Sequence, residues 1–330
     1  MTSPRAIGPV RFGPGAEFDL IRRLVNPDDL LPMGGNLGPG DDAAVLEGGW
    51  VLSTDISLED VHFRRVWLED KEIGFRAVSC ALSDLAAMAA VPVGVFVSMA
   101  ANDEEVVEAL QSGCREAASE AGAVILGGDL SNTSGPVFID VVGLGRTNRP
   151  GLRSGAITGN DLWVTGRLGA SSTAVRVWQR GGEPPPEARK AFARPSPRCE
   201  EGYYLVEQGI ANALIDLSDG LAGDSAHLAA ASGVQIVLEA AAIPVAPIAV
   251  EVLGPEEALQ AALHGGEDYE LCFAAGPDAV DPSYFQDHFG LEITRVGHVC
   301  EGSGVWIDQG GSDPEPLMRS GFDHYAADVL

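Results

Sequence analysis

The chain has 330 residues, 45% of them apolar, with 41 glycines; this exceeds the usual size of one domain and favours two cores linked by many tight turns. Its 48 carboxylates against 21 Lys and Arg leave a formal charge of −27, which speaks against nucleic acid or an anionic membrane as partner, since both are held through cations. No apolar run approaches the ~18 residues of a membrane span, MTSPRAIGPVRFGPGAEF lacks the apolar core of a secretory signal, and five widely spaced cysteines without a CxxC pair point to packing thiols in a reducing cytoplasm.

Residues 1–16, rich in Gly and Pro, are expected to be flexible. EFDLIRRLV has helical spacing, with Phe18, Ile21, Leu24 and Val25 on one side. DAAVLE and WVLSTD read as two strands around a Gly48–Gly49 turn. Asp70 to Ala90 is a long helix whose small residues predict close packing against a neighbour. PVGVFVSMAA is a strand, DEEVVEALQSGCREAASEAG an amphipathic helix stopped by Gly122, and AVILGGD and PVFIDVVGLGRT are strands again.

Pro and Gly cluster between Asn148 and Asp161, where a domain boundary is expected. DLWVTGRLG restarts a strand, followed by a helix with Val175 and Trp178. QRGGEPPPEARKAFARPSPR reads as a Pro-rich surface connection. Then come helix 199–209, the stretch LIDLSDGLAGD, helix 221–231, strands QIVLEA and YELCFAA, and a final strand pair, ITRVGHV with GVWID. The whole reads as an α/β chain of two mixed units.

Acidic turns recur beside these apolar runs: GPGDDAAVL, STDISLED, ALSDLAAM, ILGGDLS, LIDLSDGLAGD and HGGEDYELCF. An ionised carboxylate near an interior is costly unless paired, hydrogen-bonded or bound to a metal. Asp41–Asp42 and Asp55 have no arginine shortly before them in the chain. Oxygen-only sets of this kind suit hard divalent cations, Mg²⁺ above all where phosphates complete the shell, and no His–Cys grouping indicates a softer metal. Singly, each aspartate is as well explained as a turn former or helix cap; Asp219, before GLAGD, would serve as an N-cap. Asp84 escapes that reading, because it lies within the helix between Leu82 and Leu85. No GxSxG, P-loop or GxGxxG is present, so phosphate chemistry here would rest on metals and backbone rather than on a Walker lysine or a covalent nucleophile.

PGDDAAVL, STDISLEDVHF, LSDLAAMAAVP, LGGD, RSGA, RPSPR, IDLSDGLAGD and GGEDYELCF, in this order, resemble the thiamine-monophosphate kinase family, in the superfamily of aminoimidazole ribonucleotide synthetase and selenophosphate synthetase. The resemblance runs from about Glu17 to Tyr325. It implies the two-domain fold of that superfamily: an N-terminal α+β domain at 17–150 that binds ATP and Mg²⁺ and pairs its sheet across a homodimer, then a C-terminal α/β domain at 151–330. It implies ATP-dependent phosphorylation of thiamine monophosphate to thiamine diphosphate, with several Mg²⁺ ions. Carried over by motif, Asp42, Ser53, Thr54, Asp55, Asp84, Asp129, Asp216 and Asp219 would bind metal. Gly128, Asp129, Arg153 and Ser218 would contact ATP, and His62, Glu267 and Phe322 the thiamine phosphate.

The chain departs from the family's usual YKALAVNLSD at Arg76 and Ala81, and its GGDTTRG is replaced by GGDLSNTSG. Two other readings share the motifs: a related ATP-dependent synthetase acting through a phosphorylated intermediate, and an inactive nucleotide-binding regulator.

Overall fold

The computed structural model describes residues 13–25, 35–37, 39–311, 313–317 and 324–325. In its first half, helix α1 (Ala16–Leu24) precedes strands β1 (Gly35–Leu37), β2 (Ala44–Leu46) and β3 (Trp50–Leu58), helix α2 (Asp70–Ala87), strand β4 (Val91–Ala101), helix α3 (Glu104–Glu120) and strands β5 (Val124–Asn132) and β6 (Phe138–Arg146). The strands form one six-stranded sheet in the order β1-β2-β3-β6-β4-β5. All pairings are antiparallel except β4 with β5. Of the stretch expected to be flexible, 1–12 lie outside the described residues, whereas Gly13 is buried and its N–H donates to His227 Nδ1 at 3.0 Å.

Helix α2 starts with a capping box, in which the Glu69 N–H donates to the Glu72 carboxylate and the Glu69 side chain accepts from the helix's first turn. The small residues do what their spacing predicts. A Cβ added at Gly74 would lie 1.9 Å from the Leu110 carbonyl oxygen, and one at Gly113 would lie 1.8 Å from that of Lys71, so α2 and α3 touch backbone to backbone. Leu82 and Leu85 are fully buried against the sheet, and burial of each contributes about 2 kcal/mol. The sheet's inner face carries Val51, Ser53 and Ser57 toward α2, while Trp50 and Ile56 of the same strand face outward.

The second half contains β7 (Asp161–Thr165), α4 (Ala170–Gln179), α5 (Pro186–Ala193), α6 (Cys199–Glu207), β8 (Ala211–Asp216), α7 (Leu221–Ser232), β9 (Gln235–Glu239), α8 (Pro247–Leu253), α9 (Pro255–His264), β10 (Leu271–Ala275), α10 (Pro282–Phe289), β11 (Ile293–Cys300), β12 (Gly304–Asp308) and β13 (Glu315–Pro316). Its seven strands run in the order β13-β12-β9-β11-β7-β10-β8. Leu162, Ile215 and Cys272 enter one core and Leu214, Phe273 and Leu271 the other, so this sheet is covered on both faces. The second of those cores is shared with the first half through α2, which packs against β3 and β6 on one side and against α6 and β8 on the other.

Three expectations are corrected here. The Pro-rich connection contains α5, because Ala188, Phe192 and Ala193 recur at helical spacing and are buried behind a proline that starts the helix. ITRVGHV and GVWID do not pair with each other; β9 lies between them, antiparallel to β11 and parallel to β12. Finally, Asp219 does not cap α7: Gly220 occupies the cap position, and no side chain caps that helix.

Candidate active site

The junction made by α2 brings acids together from three separate segments. Asp42 follows the turn before β2, Asp84 projects from the last turns of α2, and Asp216 ends β8. One carboxylate oxygen from each lies within 4.8 Å of the others. Two hydroxyls reach in, Ser53 from β3 and Ser83 from α2. Ser53 donates to Asp84 Oδ2, and Ser83 donates to Asp216 Oδ2 at 2.6 Å. Burial, then the charge of Asp216, pushes Asp84 well above the usual carboxylate range. Asp216 is pushed up to about 7 by burial and by Asp42.

Around this trio the same imbalance continues. Asp55, at the inner face of β3, rises to about 7 through burial and the neighbouring Glu267. Asp219 rises to about 7 through burial and the charges of Glu17 and Asp216. Its backbone N–H donates at 3.1 Å to Asp224, which is buried and raised in the same way. Asp55, Asp84, Asp216 and Asp219 make no ion pair among the described residues; the pairs sit at the flanks instead. Arg153 holds Asp42 through Nε at 3.1 Å and Nη2 at 2.5 Å, and Arg76 holds Glu267.

The Glu267 flank is built by the loop between α9 and β10. Glu267 donates its N–H to the Ser218 carbonyl at 2.8 Å, and Tyr269 donates to that of Leu217 at 2.8 Å. Both adopt left-handed backbone conformations, with φ of 68° and 51°, which cost non-glycine residues energy and are held here by those hydrogen bonds. Arg76 is almost fully buried beneath them. It donates to the Phe192 carbonyl at 2.8 Å and lies 4.0 Å above the Phe192 ring. His62 stands nearby, its Nδ1 accepting the Leu58 N–H at 3.0 Å and its ring 5.0 Å from that of His324. Burial, then His324, lowers its pKa, so the ring is neutral at pH 7.

Of the residues singled out from the sequence, Asp42, Asp84 and Asp216 converge, Ser53 and Arg153 bond to them, Asp55, Asp219, Glu267 and His62 lie close enough for their charges to act on one another or on the trio, and the Ser218 carbonyl accepts from Glu267. The side chains of Thr54 and Asp129 do not join them. Successive residues of a strand point to opposite faces, so Thr54 turns away from Asp55 and donates to Asp140 at 3.0 Å on the outer face. The pairing of Asp129 with Ser98, and of Ser98 with Asp140, puts Asp129 on that outer face too. Gly128 has a local reason to be glycine. Its φ is 156°, and a Cβ there would lie 1.7 Å from the Val97 carbonyl oxygen. Phe322 lies outside the described residues. Residues missed by sequence reading are Asp41, Arg76 as a site residue, and Asp224; the last stands within the quoted LSDGLAGD, where its i+5 spacing from Asp219 was the available signal.

The donor set suits a hard divalent cation. It is all oxygen and carries a surplus of negative charge, and Asp42 Oδ2 is buried without a hydrogen-bond partner among the described residues.

Comparison with known proteins bears on the family and the fold. Residues 40–147 match the family model of the AIR synthase related protein, N-terminal domain. The chain is similar to the thiamine-monophosphate kinase of Rhodopirellula baltica, with 34% identity over 311 residues, covering 89% of this chain and 92% of that one. The crystal structure of thiamine-monophosphate kinase from Stenotrophomonas maltophilia K279a is 34% identical, with a TM-score of 0.74 over 89% of this chain and 96% of that one. A solved structure of AaThiL complexed with AMPPCP and TMP is 28% identical, with a TM-score of 0.80 over 93% and 96%.

Proposed function

The chain belongs to the thiamine-monophosphate kinase family, and from that premise we propose that it transfers the γ-phosphoryl group of ATP to the phosphate of thiamine monophosphate, yielding thiamine diphosphate and ADP. The observation that carries this reading is the convergence of Asp42, Asp84 and Asp216 at the junction of the two sheets, with Asp42 Oδ2 buried and unpartnered. The relative solved with AMPPCP, an ATP analogue, and TMP supports the substrate pair.

Asp42, Asp84 and Asp216 would hold Mg²⁺, with Ser53, Asp55 and Asp219 around them. Mg²⁺ held there would supply positive charge against the repulsion of two phosphates, roughly 4 kcal/mol per pair of unit charges at ~4 Å and an effective dielectric of about 20. The acceptor oxygen needs no base, because a phosphate monoester with a second pKa of about 6 is largely deprotonated at neutral pH. Arg153 would take nucleotide phosphate, and Glu267 and neutral His62 would face the cationic thiamine moiety. Transfer is direct. Cys80, whose surroundings include Arg76, Asp55 and Glu267, is pushed far above its ordinary pKa by burial and offers no thiolate nucleophile.

The same reading takes 17–150 and 151–330 as the two domains, since the two sheets fall on either side of residue 150. It includes a homodimer formed through the outer face of the first sheet, where Trp50, Ile56 and Phe96 are 37%, 49% and 43% exposed. That face also carries Thr54 and Asp129, which a dimer would enclose. A reducing cytoplasm fits the five free cysteines. Among the described residues no helix is long and apolar enough to cross a membrane.

The direct test is ADP release from ATP, Mg²⁺ and thiamine monophosphate, with thiamine diphosphate identified as product. Turnover on amide or carboxylate acceptors alone would replace this reading with a synthetase. For the dimer, Phe96→Glu is expected to convert it to monomer in sedimentation analysis; an unchanged mass would remove this face from the interface.

A further inference from the structure

Asp41 and Asp42 are adjacent, yet they hold different parts of one arginine. The backbone N–H of Arg153 donates to the Asp41 carboxylate at 3.1 and 3.3 Å, and its carbonyl accepts from Ser232 Oγ at 3.1 Å. The main chain of Arg153 is thus pinned from both sides. Its guanidinium binds only one oxygen of Asp42, Oδ1, through two N–H groups. The other oxygen, Oδ2, is buried with no hydrogen-bond partner among the described residues, in a side chain only 1% exposed that offers one oxygen within 4.8 Å of the Asp84 and Asp216 carboxylates. An arginine fork ordinarily spans both oxygens of a carboxylate. Here the pairing is half made, and Asp42 itself belongs to the acid trio.

We propose that Arg153 is an internal counter-ion that occupies Asp42 until a cation binds the Asp42–Asp84–Asp216 trio, and that Asp41 and Ser232 are positioning residues that fix its backbone so that only the side chain swings from Asp42 to nucleotide phosphate. This rests on the kinase reading only for the destination of the arginine; the competition at Asp42 stands apart from it. Cation binding is therefore opposed by Arg153 in the nucleotide-free protein. Nucleotide, by drawing the guanidinium away, relieves the opposition, and the two bind cooperatively. Such an arrangement keeps the acids compensated without ligand and makes full cation loading depend on the nucleotide.

The test is nucleotide-free Mn²⁺ binding to the full chain, read by electron paramagnetic resonance or calorimetry. Arg153→Gln is expected to bind Mn²⁺ roughly tenfold more tightly than the unmodified chain, and to lose that gain when combined with Asp42→Asn. Equal affinities in the chain with and without Arg153 would overturn the proposal. If Arg153→Gln does not fold, the same question is put to the unmodified chain by following the Arg153 Nε–H resonance during Mg²⁺ titration. It is expected to shift as the cation binds; saturation by Mg²⁺ with that resonance unmoved overturns the exchange. Asp41→Asn is expected to leave Mn²⁺ affinity within about twofold while weakening binding of an ATP analogue about tenfold, because the swinging side chain loses its fixed root. Unaltered analogue binding would remove Asp41 as a positioning residue. Loss of turnover on thiamine monophosphate with the Mn²⁺ result intact would refute the kinase reading alone.

Discussion

Two places on the second sheet bury acid in opposite ways. Glu270, just before β10, is buried, but Arg198 grips both its oxygens and the Thr165 hydroxyl donates to it at 2.6 Å. Asp216, at the end of neighbouring β8, is also buried, and its hydrogen-bond donor among the described residues is the uncharged Ser83; Asp84 next to it has Ser53. The first arrangement is complete within the protein. The second has no cationic side chain paired with it among the described residues, and under the proposed function a bound cation would complete it. Burial of charge by itself is thus no sign of function; burial without compensation is.

The contrast breaks most sharply at its open end. Asp84→Asn is expected to lower phosphoryl transfer by about 1,000-fold, equivalent to about 4 kcal/mol of transition-state stabilisation, while raising the thermal midpoint of the metal-free protein, because a repelled carboxylate has become neutral. A lowered midpoint would mean that the acids are stabilising one another. At the closed end the sign reverses. Arg198→Met is expected to destabilise the fold by about 3 kcal/mol in denaturant unfolding, since it strands Glu270 without its partner. No loss would show that the pair contributes nothing net.

A gentler probe is pH. The carboxyls of Asp55, Asp216 and Asp219 are raised from 3.8 to about 7 in the folded chain, so between about pH 4 and 7 the native state holds protons that the unfolded state has released. Their contribution to metal-free stability is then full below about pH 4 and is lost as pH rises through 7, by about 1.4 kcal/mol per pH unit for each proton held. Saturating Mg²⁺ is expected to flatten this slope and to release protons on binding, measurable in buffers of different ionisation enthalpy. A slope unchanged by Mg²⁺ would place the cation elsewhere.

Much of this was legible in the chain. The long small-residue helix and the Gly48–Gly49 hairpin read correctly, because periodicity and turn chemistry act locally. The strand rule also held information that went unused. Thr54 and Asp55 are consecutive in a strand, so their side chains cannot share a face. Helix α5 was hidden by the prolines before it, which begin that helix rather than prevent it.

By itself the amino-acid sequence determined which residues carry acid, which segments turn and which helix faces pack, because these follow from each residue and its near neighbours. It could not show that Asp84 meets Asp216, that Arg153 reaches back to Asp42, or that Arg76 answers Glu267. Those pairings join segments far apart in the chain, and only the tertiary structure decided them. The physical reason is that the free energy of a buried charge depends on every group around it, and most of those groups are brought there by the packing of α2 between the two sheets.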